Sequence, residues 1–123
     1  MKYYCMRYRL NITHSRDNNF ATAHAHVFEI TVFLEPKVRG FAEFGDIEEL
    51  MKRTLEPFQN RYLNDFEIFN GDTSVENVGE VAWLLLCEAY DSEGIWEVDR
   101  IEISEIPTRT YVITKDDFKQ GYM

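Results

Sequence analysis

The chain has 123 residues, 45% of them hydrophobic and 15% aromatic, with 22 acidic residues against 13 basic ones for a formal charge of -9. This describes one globular domain over residues 1–123 with a single sizeable core, and it excludes a disordered chain. Lys2, Arg7, Arg9, Arg16, Lys37 and Arg39 are scattered, so no basic patch exists to displace counterions, and nucleic acid and anionic membrane are excluded as partners.

Cys5 and Cys87 are too few for a disulfide framework, and their places in a first strand and mid-helix predict buried free thiols in a reducing compartment. The opening "MKYYCMRYRL" alternates polar and apolar residues and does not read as a signal peptide. No apolar run approaches the length of a membrane span. The expected location is the cytoplasm.

Residues 2–14 read as a strand, with Tyr4, Met6, Tyr8, Leu10 and Ile12 on one face. Residues 15–23, "SRDNNFATA", form a polar connection, and 24–35 form a second strand that ends before Pro36. Asp46 and Glu49 have capping-box spacing and predict a helix start, followed by a stripe of Ile47, Leu50, Met51, Leu55 and Phe58. Pro57 bends or closes the last turn. Residues 61–72 read as a loop. Thr73 and Glu76 repeat the capping-box spacing before a second helix, and Gly94 marks its end. Residues 95–105 and 108–114 form a hairpin around Pro107, and "KDDFKQGYM" is a partly loose tail. The order ββααββ predicts an α+β domain: a four-stranded antiparallel sheet with two helices on one face.

His14, His24 and His26 are the histidines of the chain. In a strand, residues two apart point to the same side, so His24 and His26 aim at one point. If strands 2–14 and 24–35 form a hairpin, His14 returns beside them. Three imidazoles on two rigid strands make a three-ligand zinc set that leaves one coordination position open. The same pattern also fits surface histidines at strand ends.

The segments "THSRDNNFATAHAHVFEITV", "GFAEFGDIEEL", "NRYLN", "TSVEN" and "IEISEIPTRTY" occur in that order. Together they resemble the 6-pyruvoyl-tetrahydropterin synthase family, which includes the 6-carboxy-tetrahydropterin synthases of queuosine biosynthesis. The resemblance runs from the first strand to Tyr111. It implies the T-fold, in which ββααββ subunits join into a barrel and two trimeric rings stack into a homohexamer with active sites between subunits. It implies zinc on His14, His24 and His26. It also implies that Glu105 anchors the ring of a reduced pterin, such as 7,8-dihydroneopterin triphosphate, by accepting hydrogen bonds from the ring N–H and amine. A carboxylate suits that task, because it offers two acceptors to two parallel donors.

The catalytic positions depart from the family pattern. Phe20 stands four residues before His24, where the family has a proton-shuttling cysteine. Gln59 and Asn60 stand where it has an Asp-His pair, with the following Arg61-Tyr62-Leu63-Asn64 in register. None of the three can relay a proton, and such transfer needs a group of tuned pKa. Ala25, Phe28, Glu43 and Ile106 are smaller departures. Asp17 is the one carboxylate in the neighbouring loop and a substitute base, or else a solvated turn residue. Cys5 is about 30 Å from His14 at strand rise, too far to serve. The resemblance therefore supports two functions. One is a zinc-dependent lyase of this family with altered catalytic residues. The other is a non-catalytic pterin-binding T-fold protein, or a partner subunit that has lost the chemistry.

Overall fold

Alternation builds the first strand. From Tyr4 to His14 (β1), every second side chain turns inward and the intervening Cys5, Arg7, Arg9 and Asn11 are exposed. β2 (His24–Pro36) runs back along it, antiparallel over its full length. The computed structural model describes residues 2–40 and 42–119. Within them follow α1 (Phe44–Leu55), β3 (Arg61–Tyr62), α2 (Val75–Asp91), β4 (Trp96–Ile106), β5 (Arg109–Thr114) and α3 (Lys115–Lys119). The expected α+β class holds.

The sheet has five strands in the order β3-β1-β2-β4-β5, one more than expected. The extra strand is the two-residue β3, which pairs parallel with Ile12 and Thr13 of β1 inside the stretch expected to be loop. A strand this short leaves no periodicity to read. It forms because Asn60 donates its N–H to the Asn11 carbonyl (2.7 Å) and thereby docks the chain on the edge of β1.

Both helix starts differ from the expected caps. α1 begins at Phe44 because the Glu43 carbonyl accepts from the N–H groups of Asp46 and Ile47. Asp46 lies inside the first turn, where a carboxylate opposes the helix dipole. At α2 the cap is Ser74, whose hydroxyl accepts from the N–H of Asn77 (3.3 Å). Thr73 is buried, and its hydroxyl turns toward the Ser15 carbonyl (3.5 Å) and Asn64 Oδ1 (3.1 Å).

One face of the sheet carries the core. Leu10, Phe28, Ile30, Val32, Leu34, Ile101 and Ile103 pack with Ile47, Met51, Leu55, Leu86 and Tyr90 from α1 and α2. Each such side chain contributes about 1.5–3 kcal/mol. Tyr90 ties the two helices by donating its hydroxyl to the Ile47 carbonyl (2.8 Å), and burial raises its pKa. The other face is charged: Arg7 lies 4.0 Å from Glu29, and Arg100 contacts Glu102 at 3.2 Å while covering the Phe33 ring. At the far end Lys115 holds Glu97, Asp99 and Glu35 within 3.2–3.6 Å. The tail expected to be partly loose is helical over Lys115–Lys119, and its remainder lies outside the described residues.

Both cysteines are free, but they are not both buried: Cys5 is exposed and Cys87 half-buried. Cys5 occupies a polar-face position of β1, which hairpin pairing leaves open. Among the described residues, no helix is long and apolar enough to cross a membrane.

Candidate metal centre

The register of β1 on β2 creates the site. His14 is the direct cross-strand partner of His24, and His26, two residues on, shares its face. The ring centroids lie 4.6 Å (His14–His24), 5.1 Å (His14–His26) and 4.7 Å (His24–His26) apart. One nitrogen from each ring lies within 4.8 Å of the other two.

His14 is fixed from behind. Its Nδ1 lies 2.9 Å from the Thr73 carbonyl. A carbonyl only accepts, so Nδ1 carries the hydrogen and Nε2 presents a lone pair. That Nε2 is buried and has no hydrogen-bond partner. An unpartnered polar atom in the interior is costly, and a second-sphere carbonyl behind a ligating imidazole is how metal sites orient their histidines. Burial is the main cause that lowers the His14 pKa, aided by His24 and His26 and opposed by the Thr73 bond and Glu105. The ring is thereby kept neutral, as a metal ligand must be. The donor set fits a divalent transition metal that accepts imidazole nitrogen.

Glu105 reaches the same point from β4. Its Oε2 is 3.6 Å from His26 Nδ1 and 3.8 Å from His14 Nε2. The β4–β5 pairing breaks between Ile103 and Ile106, so Glu105 sits in a bulge with a cleft on its β5 side. Bulges beside sites commonly re-aim one side chain in this way. Four clefts share Glu105 as a wall, the last of them with Arg9, Val27 and Glu29. The first, about 330 Å³, holds the three histidines with Arg16, Asp72, Thr73 and Glu76. The second holds Asn11, Thr13, His26 and Asn60. The third holds Glu76, Arg109, Thr110 and Tyr111.

The loop after His14 is held by Asn64. Its Oδ1 accepts the Ser15 N–H (3.0 Å), and its Nδ2 donates to the Ser15 carbonyl (2.9 Å) and to Asn18 Oδ1 (2.6 Å). Asp17 accepts from the Thr22 hydroxyl (2.6 Å) and the Asn19 N–H (3.1 Å), and these bonds hold its carboxyl below the usual carboxylate range. Phe20 is 69% exposed, with its ring edge-on to Tyr62. Gln59 is tied to β1: its Oε1 accepts the Asn11 N–H (2.5 Å), and its Nε2 donates to the Tyr8 hydroxyl and the Arg9 carbonyl. Asn60 adopts the left-handed backbone region (φ 60°) that Asn tolerates.

Sequence reasoning missed four participants. The backbone of Thr73 had no signal of its own, since any residue supplies a carbonyl. Asp72 and Glu76 reach the cleft because α2, packed on β4 and β5, starts beside His14, to which the Thr73 carbonyl is bonded, while Arg16 follows His14 in the loop after β1.

A mixed sheet with two helices on one face and a histidine cluster at the head of its central strands defines a metal-site α+β protein. The sequence matches the family model of 6-pyruvoyl tetrahydropterin synthase over residues 2–116. The chain belongs to that family. A search of curated protein sequences finds no significant match. Among solved structures, 6-pyruvoyl tetrahydropterin synthase from Caenorhabditis elegans aligns with TM-score 0.69 at 17% identity, over 93% of this chain and 96% of its own. The Plasmodium falciparum enzyme of the same name gives 0.65 at 16%, over 93% and 97%. Uncharacterized protein WS1659 from Wolinella succinogenes gives 0.69 at 11%, over 93% and 98%. At these identities the likeness establishes the T-fold and no more.

Proposed function

We propose that this single domain is a zinc-dependent, pterin-processing member of the family, acting on 7,8-dihydroneopterin triphosphate or a related reduced pterin. The observation that carries the reading is the buried, unpartnered Nε2 of His14, facing His24, His26 and the Glu105 carboxylate. His14, His24 and His26 would hold the zinc. When bound, zinc supplies Lewis acidity that lowers the pKa of a coordinated hydroxyl. Glu105 would hold the pterin ring, accepting from its ring N–H and amine. Its place on the wall of four clefts, the histidine cleft among them, supports that role. The proposed assembly is a homohexamer of two stacked trimers. The exposed sheet edges support it, with β5 on one side and the start of β1 on the other.

The second reading, a non-catalytic pterin-binding protein or partner subunit, is favoured by Phe20, Gln59 and Asn60. Gln59 is committed to bonds with β1, and Phe20 lies edge-on to Tyr62 at the surface. Asp17, the substitute base, is spent on its own loop and is acidified there, which weakens it as a proton acceptor.

One experiment separates these readings. Zinc-loaded protein and its His24→Ala variant are incubated with reduced pterins, and products are followed by mass spectrometry beside ligand binding. Product from the zinc-loaded wild type alone supports the lyase. Ligand bound without product supports the second reading. No binding of any pterin defeats both.

A further inference from the structure

Glu105 brings one oxygen up to the histidine cluster. Its Oε2 lies 3.8 Å from His14 Nε2 and 3.6 Å from His26 Nδ1. His14 donates through Nδ1 to the Thr73 carbonyl, so its neutral ring leaves a lone pair on Nε2, the atom that Glu105 approaches. That Nε2 is buried without a hydrogen-bond partner, and an ionised carboxylate oxygen only accepts. Two acceptors therefore stand side by side with no proton between them. The pairing is unfavourable by itself and becomes favourable once a cation is shared by both lone pairs. Donor atoms on one tetrahedral zinc stand about 3.3–3.5 Å apart, and Oε2 is within about 0.5 Å of that spacing from both nitrogens. Glu105 sits in the bulge between Ile103 and Ile106 and has three side-chain torsions, so the remaining shift needs no movement of the backbone. All four donors belong to one chain, on β1, β2 and β4, and the arrangement does not depend on how subunits assemble.

The same carboxylate is the proposed anchor of the pterin ring, a task that takes both of its oxygens. It cannot serve the ring and the metal together. Its side chain is partly exposed and borders the histidine cleft and its neighbours, so it has room to swing between the two. Resting on the pterin reading above for its second half, we infer that Glu105 is the fourth protein ligand of the metal while no pterin is bound, and that it leaves the metal when a pterin ring takes its two oxygens. Glu105 thus keeps the metal closed to other ligands until the ring arrives, and its departure frees the position for a hydroxyl of the substrate side chain.

The test uses the full chain loaded with cobalt(II) in place of zinc, because the visible bands of cobalt report its ligand set. Imidazole, a neutral probe, is titrated into wild type, Glu105→Gln and Glu105→Asp, with cobalt content checked in each. The aspartate keeps the charge but falls one methylene short of the metal. Wild type should bind imidazole at least about tenfold more weakly than either variant, because its carboxylate must first be displaced. Equal binding by all three overturns the inference. A gain confined to Glu105→Gln would trace to charge alone and overturns it as well. 6-Methyl-7,8-dihydropterin, which has the ring but no side-chain hydroxyl, is then added, and its binding is measured separately by equilibrium dialysis. It should move the wild-type bands toward those of Glu105→Asp. Bound pterin with unmoved bands overturns the displacement and leaves the pterin reading intact. Absence of bound pterin defeats the pterin reading and the displacement with it, while the imidazole comparison, made without pterin, decides the fourth ligand by itself.

Discussion

The imidazole of His14 donates through Nδ1 to the carbonyl of Thr73, 2.9 Å away and 59 residues along the chain. This bond joins the end of β1 to the residue before the cap of α2. It sets the tautomer that leaves Nε2 free toward His24 and His26. The metal site is thus tied to the packing of α2 on the sheet, and metal binding should stabilise the fold as a whole.

Zinc should therefore raise the melting temperature of the wild-type chain. At free metal about a hundredfold above the dissociation constant, binding adds about 2.7 kcal/mol, roughly 10 °C for a domain of this size. His26→Ala removes one ligand from a half-buried position and should erase the shift without unfolding the protein. Scanning calorimetry with and without a chelator measures both. An equal zinc shift in wild type and His26→Ala would show that the metal sits elsewhere.

Asn64 is the keystone of the loop that follows His14. Its carboxamide serves the N–H and carbonyl of fully buried Ser15, and its Oδ1 also takes the Thr73 hydroxyl. Asn64→Leu keeps the volume but leaves Ser15 and Thr73 with unmet polar groups, each costing about 1–3 kcal/mol. The loss should appear in denaturant melts as a stability drop of about 2–4 kcal/mol. Zinc affinity should fall about 10–100-fold, the usual cost of losing an outer-sphere support. Unchanged zinc affinity in a destabilised variant would confine Asn64 to the fold.

Much of this was legible in the sequence, and the gaps have physical causes. The alternation in β1 and the stripe of α1 stand out because burial on one face imposes a period. The histidine pairing followed from strand parity together with a hairpin, and the register matches His14 with His24. The α2 cap was misplaced by one residue because Thr73 and Ser74 are both favourable N-cap residues, and the α1 cap by three because Glu43 caps through its backbone carbonyl and leaves no side-chain signal. The choice between Thr73 and Ser74 was made by Asn64, which draws Thr73 inward. The nearness of Glu105 to His14 depends on β4 lying beside β2, a long-range pairing that no local pattern encodes.

The two thiols should behave oppositely. Cys5 is exposed on β1, whereas burial, with help from Asp91, pushes the Cys87 thiol up to about 12. The thiolate is the reactive form, so Cys87 should resist alkylation near neutral pH. Intact-mass analysis after brief iodoacetamide treatment should show one adduct on the folded protein and two in denaturant. Rapid double labelling of the native chain would mean that α2 opens readily.

Gly79 is a point of close approach between α2 and strands β4 and β5. A Cβ built there would lie 2.8 Å from Ile103 Cγ2 and 3.3 Å from Tyr111 Cδ2. Gly79 has ordinary helical backbone, so Gly79→Ala gains helix propensity of up to about 1 kcal/mol. Ile103 is fully buried and β-branched, with little freedom to turn aside. Overpacking of that kind costs about 1–3 kcal/mol and should win. The variant should lose about 1–2 kcal/mol net in urea melts, with an unchanged denaturant slope. Because Ile103 lies two residues before Glu105 on β4, the displaced strand should also weaken pterin binding while leaving zinc on the β1–β2 histidines. A variant more stable than wild type would show that β4 can yield, and that the fit of α2 to the sheet is looser than these contacts indicate.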